Sequence, residues 1–195
     1  MSKLSLSAFT RIKNNMQTEL IIAGSGGQGV LFAGTLLAQA AVEENKETTW
    51  FPSYGAEIRG GTANSTVVVS DEEIGSPVVN SFSALIALNE QSLDKFLPKA
   101  KPGAVIIVNS SLVNKKVDRS DVKAYYVPAS EIADKQINDI RAANLVALGA
   151  YLKASGILKL SSAKQACDIL FAERAKLIPL NQQALELGYN SCRQG

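Results

Sequence analysis

Short apolar runs alternate with segments of helical period from Glu19 to Val127, and from Glu131 onward only the helical period remains. Glu19–Ala23 predicts a first strand, and Gln28–Val42 a helix whose inner face (Val30, Ala33, Gly34, Leu37, Ala41) is small enough to lie tightly on a sheet. Glu47–Phe51 predicts a second strand, ended by Pro52, and Asn64–Ser70 a third, carried by the β-branched run Thr66-Val67-Val68-Val69. Ser83–Leu88 and Ala104–Val108 are nearly continuous apolar runs, as strands buried on both faces of a parallel sheet are. Between them the pattern predicts a helix over Glu90–Leu97 and a turn at Lys101-Pro102-Gly103, and Val122–Val127 is one more strand. The C-terminal part predicts a short turn at Glu131–Lys135 and helices over Asp139–Ser155 and Ser161–Ala172. A last helix begins at Asn181, with Asn181 as N-cap, Leu180 and Leu185 as a hydrophobic staple and Gly188 as the C′ residue. The expected fold class is α/β: an open, mostly parallel sheet with helices on both faces and a helical C-terminal part.

Two glycine clusters interrupt this pattern. Leu20-Ile21-Ile22-Ala23-Gly24-Ser25-Gly26-Gly27-Gln28-Gly29-Val30 runs from a strand through four glycines into a small-residue helix, and Gly24, Gly26 and Gly29 fit the G-x-G-x-x-G spacing. Such a turn brings backbone N–H groups and a helix N-terminus up to a ligand or a partner, and Gln28 adds an amide able to donate and accept. The second cluster, Ser53-Tyr54-Gly55-Ala56-Glu57-Ile58-Arg59-Gly60-Gly61, follows the second predicted strand. Both clusters are expected at the carboxyl edge of the sheet, lining one crevice. Arg59 either clamps an anion or pairs with Glu57, and Tyr54 offers a stacking ring or packs into the core. Asn144, inside an apolar helix, needs a partner for its amide, and an intrachain hydrogen bond is expected.

Composition narrows the chemistry. A chain of 195 residues with 46% hydrophobic content forms one ordinary domain, taken as residues 18–195 behind a flexible leader, Met1–Gln17. The net charge of +2 is scattered, which argues against nucleic acid as a partner. The run Ala142–Leu152 is broken by Asn144 and Gly149 and is too short to cross a bilayer, so no membrane partner is expected and the cytoplasm is the default compartment. With no histidine and only Cys167 and Cys192, the chain cannot build a Ser-His-Asp or Cys-His unit, a His-ligated metal site, or the four-thiolate shell of a [4Fe–4S] cluster. Cys167 lies on an apolar helical stripe and reads as a core residue. A dinucleotide site would place an acidic residue at the end of the second strand, where Thr49, Trp50 and Phe51 stand. A nucleophile elbow at Ser25 would need glycine in place of Ala23.

Four motifs in order, Gly24-Ser-Gly-Gly-Gln-Gly-Val30, Tyr54-Gly-Ala-Glu-Ile-Arg-Gly-Gly-Thr-Ala-Asn64, Asn144-Leu-Val-Ala-Leu-Gly149 and Ile178-Pro-Leu-Asn-Gln-Gln-Ala-Leu-Glu-Leu-Gly188, resemble the gamma subunit of 2-oxoacid:ferredoxin oxidoreductases from about Thr18 to Tyr189. The 2-oxoglutarate branch looks closest, and the pyruvate and isovalerate branch shares the motifs. The resemblance implies a complex in which alpha, beta and, where present, delta subunits carry thiamine diphosphate and the [4Fe–4S] clusters, with coenzyme A as co-substrate and ferredoxin as electron acceptor. This chain would hold no cofactor alone, supply no catalytic residue and be inactive in isolation. Gly24, Gly26, Gly27, Gln28 and Gly29, with Tyr54, Arg59, Gly60 and Gly61, would face the active centre on the coenzyme A side. Two other readings of the residues stay open: a stand-alone NAD or FAD reductase, and a purely structural scaffold subunit.

Overall fold

The computed structural model describes residues 16–54 and 62–193. Residues 1–15 of the expected leader lie outside the described residues, and Gln17 already belongs to the first strand. Six strands form one sheet: β1 (Gln17–Ser25), β2 (Glu47–Tyr54), β3 (Thr62–Ser70), β4 (Phe82–Ala87), β5 (Ala100–Asn109) and β6 (Lys123–Val127), in the order β2-β3-β1-β4-β5-β6. β1, β4, β5 and β6 are parallel, whereas β3 runs antiparallel to both β1 and β2. The expected α/β class holds.

Helix α1 (Val30–Glu43) buries Val30, Ala33, Gly34, Leu37 and Ala41, the inner face read from the sequence, together with Leu36 and Ala40. Small residues here let the helix axis approach the sheet. A side chain at Gly34 would collide with Ser65 Oγ and with the Trp50 indole, which donates to that same hydroxyl at 2.8 Å. Helices α4 (Ala143–Ser155), α5 (Leu160–Leu170) and α6 (Ile178–Ser191) cover the same face, packing with α1 on Leu20, Ile22, Ala84 and Ile86. The alternate residues Ile21, Ala23, Leu85 and Ala87 face the other way and are covered by Leu93 and Phe96 of α2 (Glu90–Phe96). The period-two alternation of β1 and β4 thus divides the core between two layers. A short helix α3 (Ala129–Ile132) follows β6 and runs into a π-helical turn at Ala133–Ile137.

Several local expectations are corrected. β2 continues through Pro52 to Tyr54, because it is an edge strand and a residue without an N–H is tolerated where one side of the strand is unpaired. Lys101-Pro102-Gly103 is no strand-ending turn but lies inside β5, where the register shifts between Phe82 and Ala84 and Gly103 takes φ +80°. The segment expected as one helix from Asp139 is a 3-10 turn, Ile140–Ala142, capped by Asp139, followed by α4. The last helix starts at Ile178, with Pro179 in its first turn, so Asn181 is buried one turn inside and donates to the Leu177 carbonyl at 2.7 Å rather than capping. Leu180 and Leu185 therefore form no staple. Gly188 lies within α6 rather than after it, where it allows close contact with the Val146 carbonyl of α4. Cys167 is fully buried, and burial pushes its thiol up to about 12, the state of an inert core residue.

Candidate functional site

The sheet has a switch point between β1 and β4. From the carboxyl end of β1 the chain passes to α1 on one face, and from the end of β4 to α2 on the other, so a crevice opens where the two connections diverge. Polar side chains close its floor. Gln28 Oε1 accepts from Ser25 N at 2.6 Å and from Asn89 Nδ2 at 3.1 Å, while its amide nitrogen lies 3.5 Å from the Leu88 carbonyl. Asn89 also donates to Ser25 Oγ at 2.7 Å and caps α2 by accepting from Ser92 N at 2.9 Å. One strand further, Asn109 donates to Leu88 O at 3.2 Å and to Ser130 Oγ at 2.9 Å. The amide of Gln28, read from the sequence as a ligand group, is thus engaged in shaping the loop that holds it.

The four glycines of this loop have different reasons to be glycine. A side chain at Gly24 would strike Gln28 Oε1, at 2.6 Å from its first carbon. Gly27 and Gly29 adopt φ +93° and +69°, conformations that side chains disfavour. Gly29 is the N-cap of α1, without a side-chain cap, and its carbonyl accepts from Asn144 Nδ2 at 2.8 Å. This is the intrachain partner expected for Asn144, which also accepts from Leu145 N. Gly26 is exposed, has no positive φ, and an added carbon there would meet nothing within 4 Å. Contacts within the described residues place no demand for glycine at that position.

The second glycine cluster spans residues 53–61. Gly55, Arg59, Gly60 and Gly61 lie outside the described residues, and of Tyr54 only the backbone is described. Tyr54, near the start of the cluster, and Thr62, just after it, are placed in the sheet. Tyr54 pairs with Ala63, and Thr62 pairs with Ser25 in the last rung of the β1–β3 ladder, so both ends of the cluster meet the first loop at the same sheet edge. They meet there although β2 lies in no parallel pair, because its loop connects it to antiparallel β3, which pairs with β1.

Two cavities open beside the first loop. One, of about 240 Å³, is lined by Leu88, Leu112, Ile140 and Ala143 with Gln28, Asn109 and Ser130. The other, of about 290 Å³, runs past Phe32, Phe171, Leu177 and Leu180 toward Asn144 and Asn181. Gly27 and Arg141 line both. Arg141 is held by Asp139 through two bonds, Nε to Oδ1 at 2.8 Å and Nη2 to Oδ2 at 2.7 Å. The guanidinium holds the Asp139 carboxyl below the ordinary carboxylate range, and Asp139 in turn raises Arg141. Asn89, Asn109, Ser130 and Arg141 were not singled out in the sequence. Asn89 and Asn109 do carry a readable signal, a polar side chain directly after an apolar parallel strand, whereas Arg141 has none.

The same topology weighs against a dinucleotide reductase. In that fold the strand bearing the ribose-binding acid lies beside β1, and here antiparallel β3 occupies that place. Among the described residues no group of three or more Cys, Asp or Glu side chains could hold a metal ion, and no helix is long and apolar enough to cross a membrane.

Comparison with known proteins decides the family. The sequence model for pyruvate ferredoxin/flavodoxin oxidoreductase matches residues 19–191. The chain belongs to this family. A ketoisovalerate oxidoreductase subunit VorA from Methanothermobacter thermautotrophicus is 43% identical over 175 residues, which are 89% of this chain and 36% of that protein. The chain thus spans about a third of that relative's length. A keto/oxoacid ferredoxin oxidoreductase gamma subunit from Geobacter sulfurreducens superposes with a TM-score of 0.80 at 29% identity, covering 90% of this chain and 96% of that one. The 2-oxoglutarate:ferredoxin oxidoreductase of Magnetococcus marinus, with 2-oxoglutarate, coenzyme A and succinyl-CoA bound, also gives 0.80 at 26% identity, over 89% of this chain and 30% of that one. The oxidoreductase family is therefore the frame for the site, and the Geobacter gamma subunit is matched along nearly the whole of its own length.

Proposed function

We propose that this chain is the gamma subunit of a CoA-acylating 2-oxoacid:ferredoxin oxidoreductase and forms the coenzyme A side of its active centre. The observation that carries the reading is the glycine loop at the sheet's switch point, open around Gly26 and Gly27, within a fold that matches a gamma subunit over 96% of the latter's length. The first-turn N–H groups of a helix lack intrahelical acceptors and attract phosphate, so α1, entered through Gly26, Gly27 and Gly29 without a side-chain cap, is suited to a pyrophosphate. Gly24 and Gln28 shape that loop. Tyr54, Arg59, Gly60 and Gly61 complete the face from the second cluster, whose ends lie at the same edge. The coenzyme A and succinyl-CoA in the Magnetococcus enzyme support this choice of ligand.

Thiamine diphosphate and the iron–sulfur clusters reside on alpha, beta and, where present, delta partners, which decarboxylate the 2-oxoacid and pass electrons to ferredoxin in the cytoplasm. This chain supplies a binding surface and no reacting group. Its 2-oxoacid is 2-oxoglutarate, in keeping with the motif of the second cluster. The 43% identity to a ketoisovalerate enzyme supports a branched-chain 2-oxoacid as the second reading.

Purification of the native complex, with its partners identified, followed by CoA-dependent viologen reduction on a panel of 2-oxoacids, tests the proposal. Activity with 2-oxoglutarate that disappears without CoA is expected, and preference for 2-oxoisovalerate selects the second reading. A bound flavin or turnover by the isolated chain overturns both. Arg59→Ala in the complex raises the KM for CoA, and an unchanged KM removes Arg59 from the site.

A further inference from the structure

Arg141 has no counterpart among the residues singled out in the sequence, yet it stands at the only lining position, apart from Gly27, that the two cavities described above have in common. Its side chain is 82% exposed but not free to wander, because both Asp139 oxygens grip one edge of the guanidinium. Asp139 is itself anchored: Oδ1 also accepts from Arg141 N at 3.0 Å, and its own N–H donates to the Ala133 carbonyl at 3.1 Å. A guanidinium has five donors, so the pair with Asp139 leaves donors for a second anion on the opposite side of the fork. Asp139 is also the one acidic side chain along either lining, and its oxygens are turned to Arg141.

The backbone that presents this pair is irregular in three consecutive steps. A π-helical turn covers Ala133–Ile137, Asn138 takes a left-handed conformation at φ +58°, and a capped 3-10 turn carries Ile140–Ala142. Irregularities of this kind cost stability and collect at functional sites. Here they carry Arg141 up to Gly27, on the open side of the glycine loop. The cavity behind it is walled by Leu88, Leu112, Ile140 and Ala143, with Asn109 and Ser130 at its polar end. A ligand that fits has an anionic group beside a compact apolar segment bearing amides.

We infer that Arg141, aimed by Asp139, anchors the pyrophosphate of coenzyme A against the glycine loop, while the neighbouring apolar cavity receives the dimethyl-bearing start of the pantetheine arm. The inference rests on the proposed function and adds to it a cation and a direction of binding. The glycine loop supplies backbone dipoles, and Arg141 supplies the guanidinium donors that Asp139 leaves free.

The test uses the purified complex with Arg141→Ala, Arg141→Lys and Asp139→Asn, assayed with CoA, with 3′-dephospho-CoA and with pantetheine. Loss of a charge-assisted hydrogen bond raises the KM for CoA in Arg141→Ala about 10- to 100-fold, with kcat and the KM for the 2-oxoacid near wild type. The same factor is expected for 3′-dephospho-CoA, which keeps the pyrophosphate. None is expected for pantetheine, which lacks it. Lysine restores part of the affinity, since it keeps the charge without the fork, and Asp139→Asn gives an intermediate rise. An unchanged KM for CoA in Arg141→Ala, in a complex whose wild type still requires CoA, overturns the inference and leaves the proposed function standing. A penalty that vanishes with 3′-dephospho-CoA assigns Arg141 to the 3′-phosphate and overturns the pyrophosphate assignment. A wild-type complex indifferent to CoA overturns the function itself and this inference with it.

Discussion

Where α4 crosses α6, Gly149 lies against the Leu185 carbonyl and Gly188 against the Val146 carbonyl, and a methyl group at either position would overlap backbone. Around Gly26 and Gly27 the same added carbon would meet nothing within 4 Å. The first pair of glycines is explained by the chain's own packing, each helix lending its missing side chain to the other's main chain. Gly26 finds no such explanation within the described residues, and Gly27 finds one only in its left-handed φ. A glycine that the fold does not use is a place where something from outside can come close. Comparing the two regions therefore separates what holds this molecule together from what it presents to a ligand.

Gly188→Ala should give the largest effect. The obstructing atoms are the Val146 carbonyl and Cα in the helical backbone of α4, which cannot swing aside as a flexible side chain can. Overpacking of this kind costs about 3 kcal/mol, the upper end of the usual range, and lowers the Tm of a domain this size by roughly 6–10 °C. A melting curve within about 1 °C of wild type would show that α4 and α6 can separate without penalty, and the comparison would lose its structural half.

Asn144→Ala acts between the two regions, because Asn144 lies in the first turn of α4 and its amide holds the Gly29 carbonyl. Removing it takes one of two donors from that carbonyl, which keeps the Ala33 N–H at 3.1 Å, and costs about 1 kcal/mol by denaturant unfolding. Amide exchange should accelerate at Gln28–Leu31 more than in the α4–α6 crossing. Uniform acceleration would mean that the loop and the crossing are one cooperative unit.

A third prediction concerns the edge of the sheet opposite the loop. Burial raises the Glu19 carboxyl, but hydrogen bonds from Lys101, Gln17 and Ser83 outweigh it, so its pKa lies below the ordinary value. A lowered folded pKa means that the ionised form is the stabilising one. Its contribution is complete at neutral pH and is lost as the pH falls from the ordinary carboxylate range through the lowered folded value. With Lys101 41% exposed, the amount is about 1 kcal/mol after solvent screening. Glu19→Gln should flatten the acid limb of the stability profile by that amount and leave CoA kinetics unaltered. A change in the KM for CoA would deny that the two edges of the sheet are independent.

Much of this was legible in the sequence, for identifiable reasons. The strands and α1 follow from apolar runs and from the small face Val30, Ala33, Gly34, Leu37, because burial leaves its period in composition. The antiparallel insertion of β3 between β2 and β1 was not legible, since pairing order is a long-range property and Val67-Val68-Val69 reads alike in either direction. The C-terminal helix was misjudged at both ends because Asn181 and Gly188 carry local cap signals that tertiary packing overrode. One is buried inside the helix, the other pressed against α4. The glycine loop was found, but the use of Gln28 was not, because the residues it bonds, Asn89 and the Leu88 carbonyl, lie about sixty positions away. Arg141 was invisible for the same reason: nothing near it in sequence reveals that a π-helical turn carries it to Gly27.

Gly26→Ala should have the smallest effect on stability, and that is its value. The position lacks both the crowding of Gly188 and the positive φ of Gly27, so alanine is compatible with the native backbone and reduces the freedom of the unfolded chain. The net change should stay within about 0.5 kcal/mol of wild type and can favour the folded state. In the assembled complex the same methyl group sits where a pyrophosphate would approach the loop backbone, and the KM for CoA should rise with little change in Tm. If Gly26→Ala leaves both stability and CoA kinetics untouched, the open space beside this glycine has no occupant, and the loop is a turn and nothing more. If it prevents subunits from associating while CoA kinetics of the residual complex are normal, the occupant is protein, and the scaffold reading replaces the coenzyme reading at this position.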